Sequence, residues 1–170
     1  MKLMGAGSIL LSSLLLAFSF LQRDRLRIRR ISALRASLLV LHRELCEWQP
    51  QLWTVFRRLS TGGENETVDA FFAELLSRQS ELGEHSFHEL WETCVKQMLS
   101  SLGGEAEALL LALGSALGGS DLAFQCREIE RTCEGLEACI ERAKAKLAER
   151  SRLTPGVCLS LGAFLVILLL

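Results

Sequence analysis

The apolar residues of this chain recur mostly at helical spacing, and no segment alternates with the period of two that a half-buried strand requires. Early in the chain, apolar side chains recur at alternating steps of three and four residues. This pattern predicts a helix with a heptad seam. The seam consists of Ile31, Leu34, Leu38, Leu41, Leu45 and Trp48. Pro50 should end the helix, because proline disfavours helical geometry in the residue before it.

Four further helices are predicted before the last one begins. Apolar faces indicate a short helix over Leu52–Leu59 and another over Val68–Leu76. Ser86 followed by Glu89 fits a capping box, which predicts a fourth helix that runs through Cys94 to Met98. The segment Glu105–Leu117, rich in Ala and Leu, predicts a fifth helix.

The last helix of the polar region is predicted to be long. We expect Ser120 to be its N-cap, with Asp121 placed favourably against the helix dipole. Its apolar stripe again follows steps of four and three: Leu122, Cys126, Ile129, Cys133, Leu136, Ile140, Ala143 and Leu147. We therefore predict an all-α antiparallel helical bundle in which the long first and last helices pack together. The structural seam of this bundle is Leu34, Leu38, Leu41, Leu45, Leu136 and Ile140.

Both ends of the chain are uncharged and apolar. Leu3–Leu21 contains 19 residues without a charge, and Leu153–Leu170 contains 18. As a helix the first segment is roughly 28 Å long, about the thickness of a bilayer hydrocarbon core. The sequence therefore predicts a transmembrane helix at 3–21, a helical domain at 22–152 and a second transmembrane helix at 153–170.

Basic residues flank both predicted spans on the side of the central domain. They are Arg23, Arg25, Arg27, Arg29 and Arg30 after the first span, and Arg142, Lys144, Lys146, Arg150 and Arg152 before the second. Because basic flanks tend to stay on the cytoplasmic side, the domain should be cytosolic and both termini outside. The alternative for the first span is a cleaved signal peptide with Ala17–Ser19 as its cleavage site.

The net charge of −1 hides an internal asymmetry. Residues 22–58 carry nine basic and three acidic groups, whereas residues 64–107 carry ten acidic groups against Arg78 and Lys96. The basic segment suits anionic lipid headgroups. The acidic segment argues against nucleic acid as a partner and is compatible with a basic protein partner.

The six cysteines do not suggest a disulfide framework. Cys158 lies in the second predicted span, which leaves an odd number in the domain. Cys126 and Cys133 fall on the apolar stripe, where free cysteine behaves as a small hydrophobic residue. The sequence therefore predicts reduced, mostly structural thiols.

Two pairs of residues could each offer two metal ligands: His42 with Cys46, and His85 with His88. Zinc needs three or four convergent ligands, and the sequence indicates no third ligand for either pair. No nucleophile motif or phosphate-binding loop is present in the sequence. We therefore predict no catalytic, cofactor or metal site, and no enzymatic activity.

The stretch Leu113–Asp121, followed by Gln125, reads as a helix end, a glycine turn and a helix start. Its pattern L-G-x-x-L-G-x-S-D-x-x-x-Q resembles the stage III sporulation protein AB family of endospore-forming Firmicutes. The start Met1–Leu3, the mid-domain Trp91 and the apolar ending complete the resemblance over the whole chain. The chain departs from the family at 46–50, where the family usually has a tyrosine-glycine-x-threonine-proline run.

This resemblance implies a helical domain similar to the cytoplasmic domain of the type II secretion inner-membrane platform protein. It also implies membership of the channel complex that joins mother cell and forespore. We therefore expect a non-enzymatic scaffold with two spans in the mother-cell membrane facing the forespore. It would bind membrane lipids, other sporulation channel proteins and a secretion-type ATPase, with no nucleic acid and no small-molecule substrate.

A docking role is expected for the glycine turn and its surroundings. The residues concerned are Gly118, Gly119, Ser120, Asp121 and Gln125. Two alternatives remain open: a membrane-bound thiol or metal enzyme using Cys46, Cys94 or the histidines, and a generic lipid-binding helical anchor.

Overall fold

The computed structural model describes the backbone of residues 2–48, 50–62, 65–119 and 121–169. Side chains are described within 22–149, apart from residues 49, 63, 64 and 120. The described elements are all helical, which confirms the all-α prediction. The α-helices are α1 (Lys2–Trp48), α2 (Leu52–Leu59), α3 (Glu66–Ser77), α4 (Phe87–Cys94), α5 (Gly104–Leu117) and α6 (Leu122–Leu169).

The chain divides into two compact units, Met1–Leu26 with Glu141–Leu170 and the single segment Arg27–Ile140. In the first unit, Lys144 Nζ forms an ion pair with Glu141 at 2.8 Å. The part of the chain that the structure describes contains no helix long and apolar enough to cross a membrane. The predicted spans, 3–21 and 153–170, lie outside the residues whose side chains are described.

Within Arg27–Ile140, two cross-links define how α1 and α6 pack. Arg35 Nε lies 2.9 Å from the Glu137 carboxylate, and Cys46 is joined to Cys126 by a disulfide. Cys46 follows Arg35 by 11 residues in α1, whereas Cys126 precedes Glu137 by 11 residues in α6. The two helices therefore run antiparallel in one constant register.

The structural seam lies in the core of this unit. Its members are all buried in one hydrophobic cluster: Leu34, Leu38, Leu41, Leu45, Leu136 and Ile140. The prediction that Trp48 continues the seam is wrong, because its side chain is 79% exposed. Trp48 is the last residue of α1, and the register places it opposite Phe124 in the first turn of α6. At that point α6 has only begun, so it offers little surface to cover the indole.

The predicted capping box opens α4. The Ser86 hydroxyl accepts a hydrogen bond from the Glu89 backbone N–H at 3.3 Å, and the Glu89 carboxylate accepts one from the Ser86 N–H at 2.9 Å. The helix does not continue as a regular α-helix to Met98. It changes into a π-helical turn at Val95–Leu99 and then into a 3₁₀ turn, and Val95 and Leu99 both remain buried.

Two of the flanking arginines of α1 take part in the fold of this unit. Arg27 Nε donates to the Leu102 carbonyl at 2.5 Å, and Arg30 donates to the Ser101 hydroxyl at 3.1 Å. Gly103 follows with φ of +94°, a conformation that favours glycine. A Cβ at Gly103 would lie 2.1 Å from Arg27 Nη2, so a larger residue here would displace the Arg27 guanidinium.

Candidate functional site

The turn between α5 and α6 is closed by hydrogen bonds to backbone carbonyls. The Gly119 N–H donates to the Ala116 carbonyl at 3.1 Å. From α6, the Gln125 side-chain amide donates to the Leu117 carbonyl at 3.2 Å and to the Gly119 carbonyl at 2.6 Å. These bonds satisfy carbonyls left without helical partners at the end of α5. Gln125 therefore holds the turn against the start of α6, while Gly118 and Gly119 are exposed.

Asp121 caps α6. Its Oδ1 accepts hydrogen bonds from the backbone N–H groups of Ala123 at 3.0 Å and Phe124 at 3.3 Å. Because α6 begins at Leu122, the N-cap is Asp121 and not Ser120, which lies outside the described residues. Asp121 is nevertheless exposed, so its negative charge remains accessible at the surface.

Several other residues of the same stretch pack into the core. Leu113 and Leu117 are buried, and Gly114 faces the indole of Trp91. A Cβ at Gly114 would lie only 2.3 Å from Trp91 Cδ1. The close approach accompanies a buried hydrogen bond of 2.7 Å from Trp91 Nε1–H to the Leu110 carbonyl. Packing therefore explains Leu113, Gly114 and Leu117, whereas Gly118, Gly119 and Asp121 are exposed and accessible to a partner.

Two exposed aromatic side chains lie at the end of the α1–α6 pair at which α6 begins. Trp48 is 79% exposed and Phe124 is 43% exposed. Trp48 follows Cys46 by two residues and Phe124 precedes Cys126 by two, so the disulfide places them at the same end of the α1–α6 pair. The heptad spacing predicts Trp48 in the core, but its position at the end of α1 is a sequence feature that favours exposure. A depression lined by Arg43, Glu47, Trp48 and Pro50 adjoins this surface.

The cysteine pairing differs from the sequence expectation. Cys46 and Cys126 form a disulfide with a Cα–Cα distance of 6.3 Å, so the prediction that all thiols are reduced is wrong for this pair. The sequence indicates no third ligand for His42 and Cys46, and antiparallel packing places Cys126 beside them. The ligand atoms of His42, Cys46 and Cys126 all lie within 4.8 Å of one another. Within the described residues, this is the one set of three side chains whose potential metal-ligand atoms lie so close together.

The described geometry does not favour Cys94 as a nucleophile or His85 and His88 as metal ligands. Cys94 is buried, and this burial raises the pKa of its thiol above the usual 9.0, which disfavours the nucleophilic thiolate. His85 and His88 lie 3.6 and 3.8 Å from the carboxylates of Glu89 and Glu92, one helical turn further on. Among the described residues these histidines join no set of three metal ligands.

The comparison with protein families decides the identity. A family model described as stage III sporulation protein AB matches residues 2–170. The chain belongs to the stage III sporulation protein AB family. Its role is therefore in sporulation, and the family is one of sporulation proteins, not a known family of enzymes. Comparisons with curated proteins and with solved structures give no match.

The residues of Leu113–Gln125 that carry the resemblance to the family also have structural roles. The glycine that admits Trp91, the N-cap Asp121 and the turn-closing Gln125 are each explained by a contact in this structure. The pattern by which the sequence resembles the family is thus largely a pattern of folding requirements.

Proposed function

We propose that this chain is a non-enzymatic membrane scaffold of the sporulation channel that links mother cell and forespore. Membership of the stage III sporulation protein AB family supports the setting. The two uncharged segments, Leu3–Leu21 and Leu153–Leu170, support a membrane anchor at each end. The helical unit between them carries the docking function and binds a secretion-type ATPase or a neighbouring channel protein.

The docking surface proposed for this role consists of the turn Gly118–Asp121 with Trp48 and Phe124. The observation that carries the proposal is the exposure of Trp48, 79%, at the same end of the helix pair as the turn. Protein interfaces are enriched in tryptophan, and a few such side chains supply most of the binding energy. An exposed indole at the same end of the helix pair as an accessible carboxylate therefore suits a partner that offers both an apolar pocket and a basic group.

Replacement of Trp48 by alanine tests this surface. Because the side chain is largely exposed, the change should alter folding stability by no more than about 0.5 kcal/mol. It should weaken co-purification of the ATPase or channel proteins from sporulating membranes and lower the spore count. Leu39→Ala is the matched control, because Leu39 is also an exposed apolar residue of α1, at 42%.

The same experiment includes Asp121→Asn, which removes the charge but keeps an N-cap side chain. Normal sporulation and normal co-purification by both the Trp48 and Asp121 variants would refute the docking surface. Washing at high salt separates docking from simple lipid adsorption, because salt screens the attraction to anionic headgroups more than it weakens a packed interface.

For localisation, we propose that the domain faces the mother-cell cytosol and that both termini are outside. The basic flanks of the two apolar segments support this orientation. A membrane-impermeant thiol reagent applied to intact cells should not label Gly62→Cys but should label a cysteine appended after the last residue. The unsubstituted chain gives the background from native thiols. Labelling of the Gly62 site from outside would reverse the topology.

A further inference from the structure

His42, Cys46 and Cys126 form a compact cluster that the docking function does not use. His42 and Cys46 are one helical turn apart on α1, so their side chains project from the same face. The antiparallel register brings Cys126 of α6 opposite Cys46. All three residues are half-buried, and their ligand atoms lie within 4.8 Å of one another.

We propose that this cluster is a redox-gated Zn²⁺ site, closed to metal in the disulfide form and formed when the disulfide is reduced. Two thiolates and one imidazole are a known protein ligand set for zinc, with the fourth position left to water. Zn–S bonds of about 2.3 Å and Zn–N bonds of about 2.0 Å place tetrahedral ligand atoms roughly 3.5–3.8 Å from one another. The three ligand atoms lie within 4.8 Å of one another, and after reduction the two sulfur atoms need only move apart from bonding distance to about 3.8 Å.

The two states exclude each other because they compete for the same sulfur atoms. A dithiol reductant breaks the Cys46–Cys126 bond, supplies two electrons and two protons, and leaves as a disulfide. Zn²⁺ then displaces one proton from each thiol and binds two thiolates and the neutral imidazole of His42. In the reverse direction, the S–S bond of a small disulfide oxidant breaks as it takes two electrons from the two thiolates, and it leaves as two thiolates that take up protons from water. The Cys46–Cys126 bond forms again and Zn²⁺ is released.

The compartment determines which state is populated. A cytosolic domain is surrounded by thiol reductants, which keep such cysteines reduced, whereas an oxidising compartment preserves the disulfide. Either state links α1 to α6 at the end that carries Trp48 and Phe124. The site itself depends only on the three side chains, so failure of the docking proposal leaves it intact.

The test uses the full-length chain in detergent, reduced with a phosphine, freed of metal and titrated with Co²⁺ as a spectroscopic substitute for Zn²⁺. The reduced chain should take up one Co²⁺ and show the visible bands of a tetrahedral ion with thiolate charge transfer. Added Zn²⁺ should abolish these bands. The oxidised chain should show none of them.

Variants assign the ligands. Cys46→Ser, Cys126→Ser and His42→Ala should each weaken metal binding by more than about tenfold, since even neighbours of metal ligands cost that much. Cys133→Ala is the matched control, because Cys133 is a buried thiol of the same helix outside the cluster. It should bind Co²⁺ like the unaltered chain. Far-UV circular dichroism verifies that each variant is folded.

A second measurement needs no variant. Zn²⁺ should protect Cys46 and Cys126 of the reduced chain from alkylation by iodoacetamide, as read from their peptides by mass spectrometry. Absence of tetrahedral Co²⁺ bands in the folded, reduced chain would overturn the proposal. So would equal Co²⁺ binding by the oxidised chain, unaltered affinity of His42→Ala, or equal alkylation with and without Zn²⁺.

Discussion

Replacing Gly114 by alanine should destabilise the fold, although alanine is the better helix former. Gly114 lies in α5 against the fully buried indole of Trp91. An added Cβ would lie 2.3 Å from Cδ1, 2.8 Å from Cγ and 3.0 Å from Nε1 of that ring. Carbon atoms in contact are ordinarily about 3.5–4.0 Å apart, so the ring or the helix must shift by about 1 Å.

The expected cost combines three terms. Overpacking of a filled core costs about 1–3 kcal/mol. A displaced indole also weakens the 2.7 Å bond from Trp91 Nε1–H to the Leu110 carbonyl, a bond worth about 0.5–1.5 kcal/mol. The higher helix propensity of alanine returns up to about 1 kcal/mol. When alanine returns the full amount of about 1 kcal/mol, the three terms together give a net loss in the free energy of unfolding of about 0.5–3.5 kcal/mol.

Urea unfolding of the full-length chain in detergent, followed by far-UV circular dichroism, measures this loss. Gly104→Ala is the matched control, because Gly104 begins the same helix and a Cβ there meets no atom within 4 Å. It should be neutral or slightly stabilising. In a Trp91→Leu background, where a smaller side chain can move aside, Gly114→Ala should lose most of its effect. An equal effect of Gly114→Ala with and without Trp91 would refute the steric explanation.

Three other predictions follow from the described contacts. Leu38→Asp places an unpaired charge in the core and should cost about 3–5 kcal/mol in urea unfolding, whereas Leu39→Asp on the exposed side of the same helix should change stability little. Asp121→Ala should cost about 1 kcal/mol by removing the N-cap of α6, and Asp121→Asn should cost almost nothing; equal effects would show that the charge and not the cap stabilises the helix. Burial raises the pKa of the Cys133 thiol from 9.0 to about 11. As the pH rises, the thiol therefore ionises in the unfolded chain at a lower pH than in the folded chain. The free energy of unfolding should therefore be at its full value below pH 9 and fall by about 2–3 kcal/mol as the pH rises to about 11. The Cys133→Ala variant should not show this fall.

Most of the helices could be predicted from short-range patterns in the sequence. Helix formation depends on periodicity and on residues within one or two turns, so the spacing of Leu34, Leu38 and Leu41 identified a buried face. The capping box at Ser86 and Glu89 depends on two residues three positions apart, and the structure contains it as predicted. Where two neighbouring residues can both cap, as at Ser120 and Asp121, spacing alone did not distinguish them.

Contacts between distant parts of the chain were decided by the tertiary structure. Cys46 and Cys126 are 80 residues apart, so only the antiparallel register of α1 and α6 brings them together with His42. The same register leaves Trp48 without a covering helix, although its spacing continues the seam.

The sequence by itself thus determined the helices, the buried faces, the family and the two uncharged end segments, because these depend on composition and short-range order. The tertiary structure decided which residues meet: Gly114 with Trp91, Arg27 with Leu102, and Cys126 with His42 and Cys46. The physical reason is that periodicity specifies which face of a helix is buried but not the neighbour that covers it. That neighbour depends on the register between helices, which the packing of the whole unit selects.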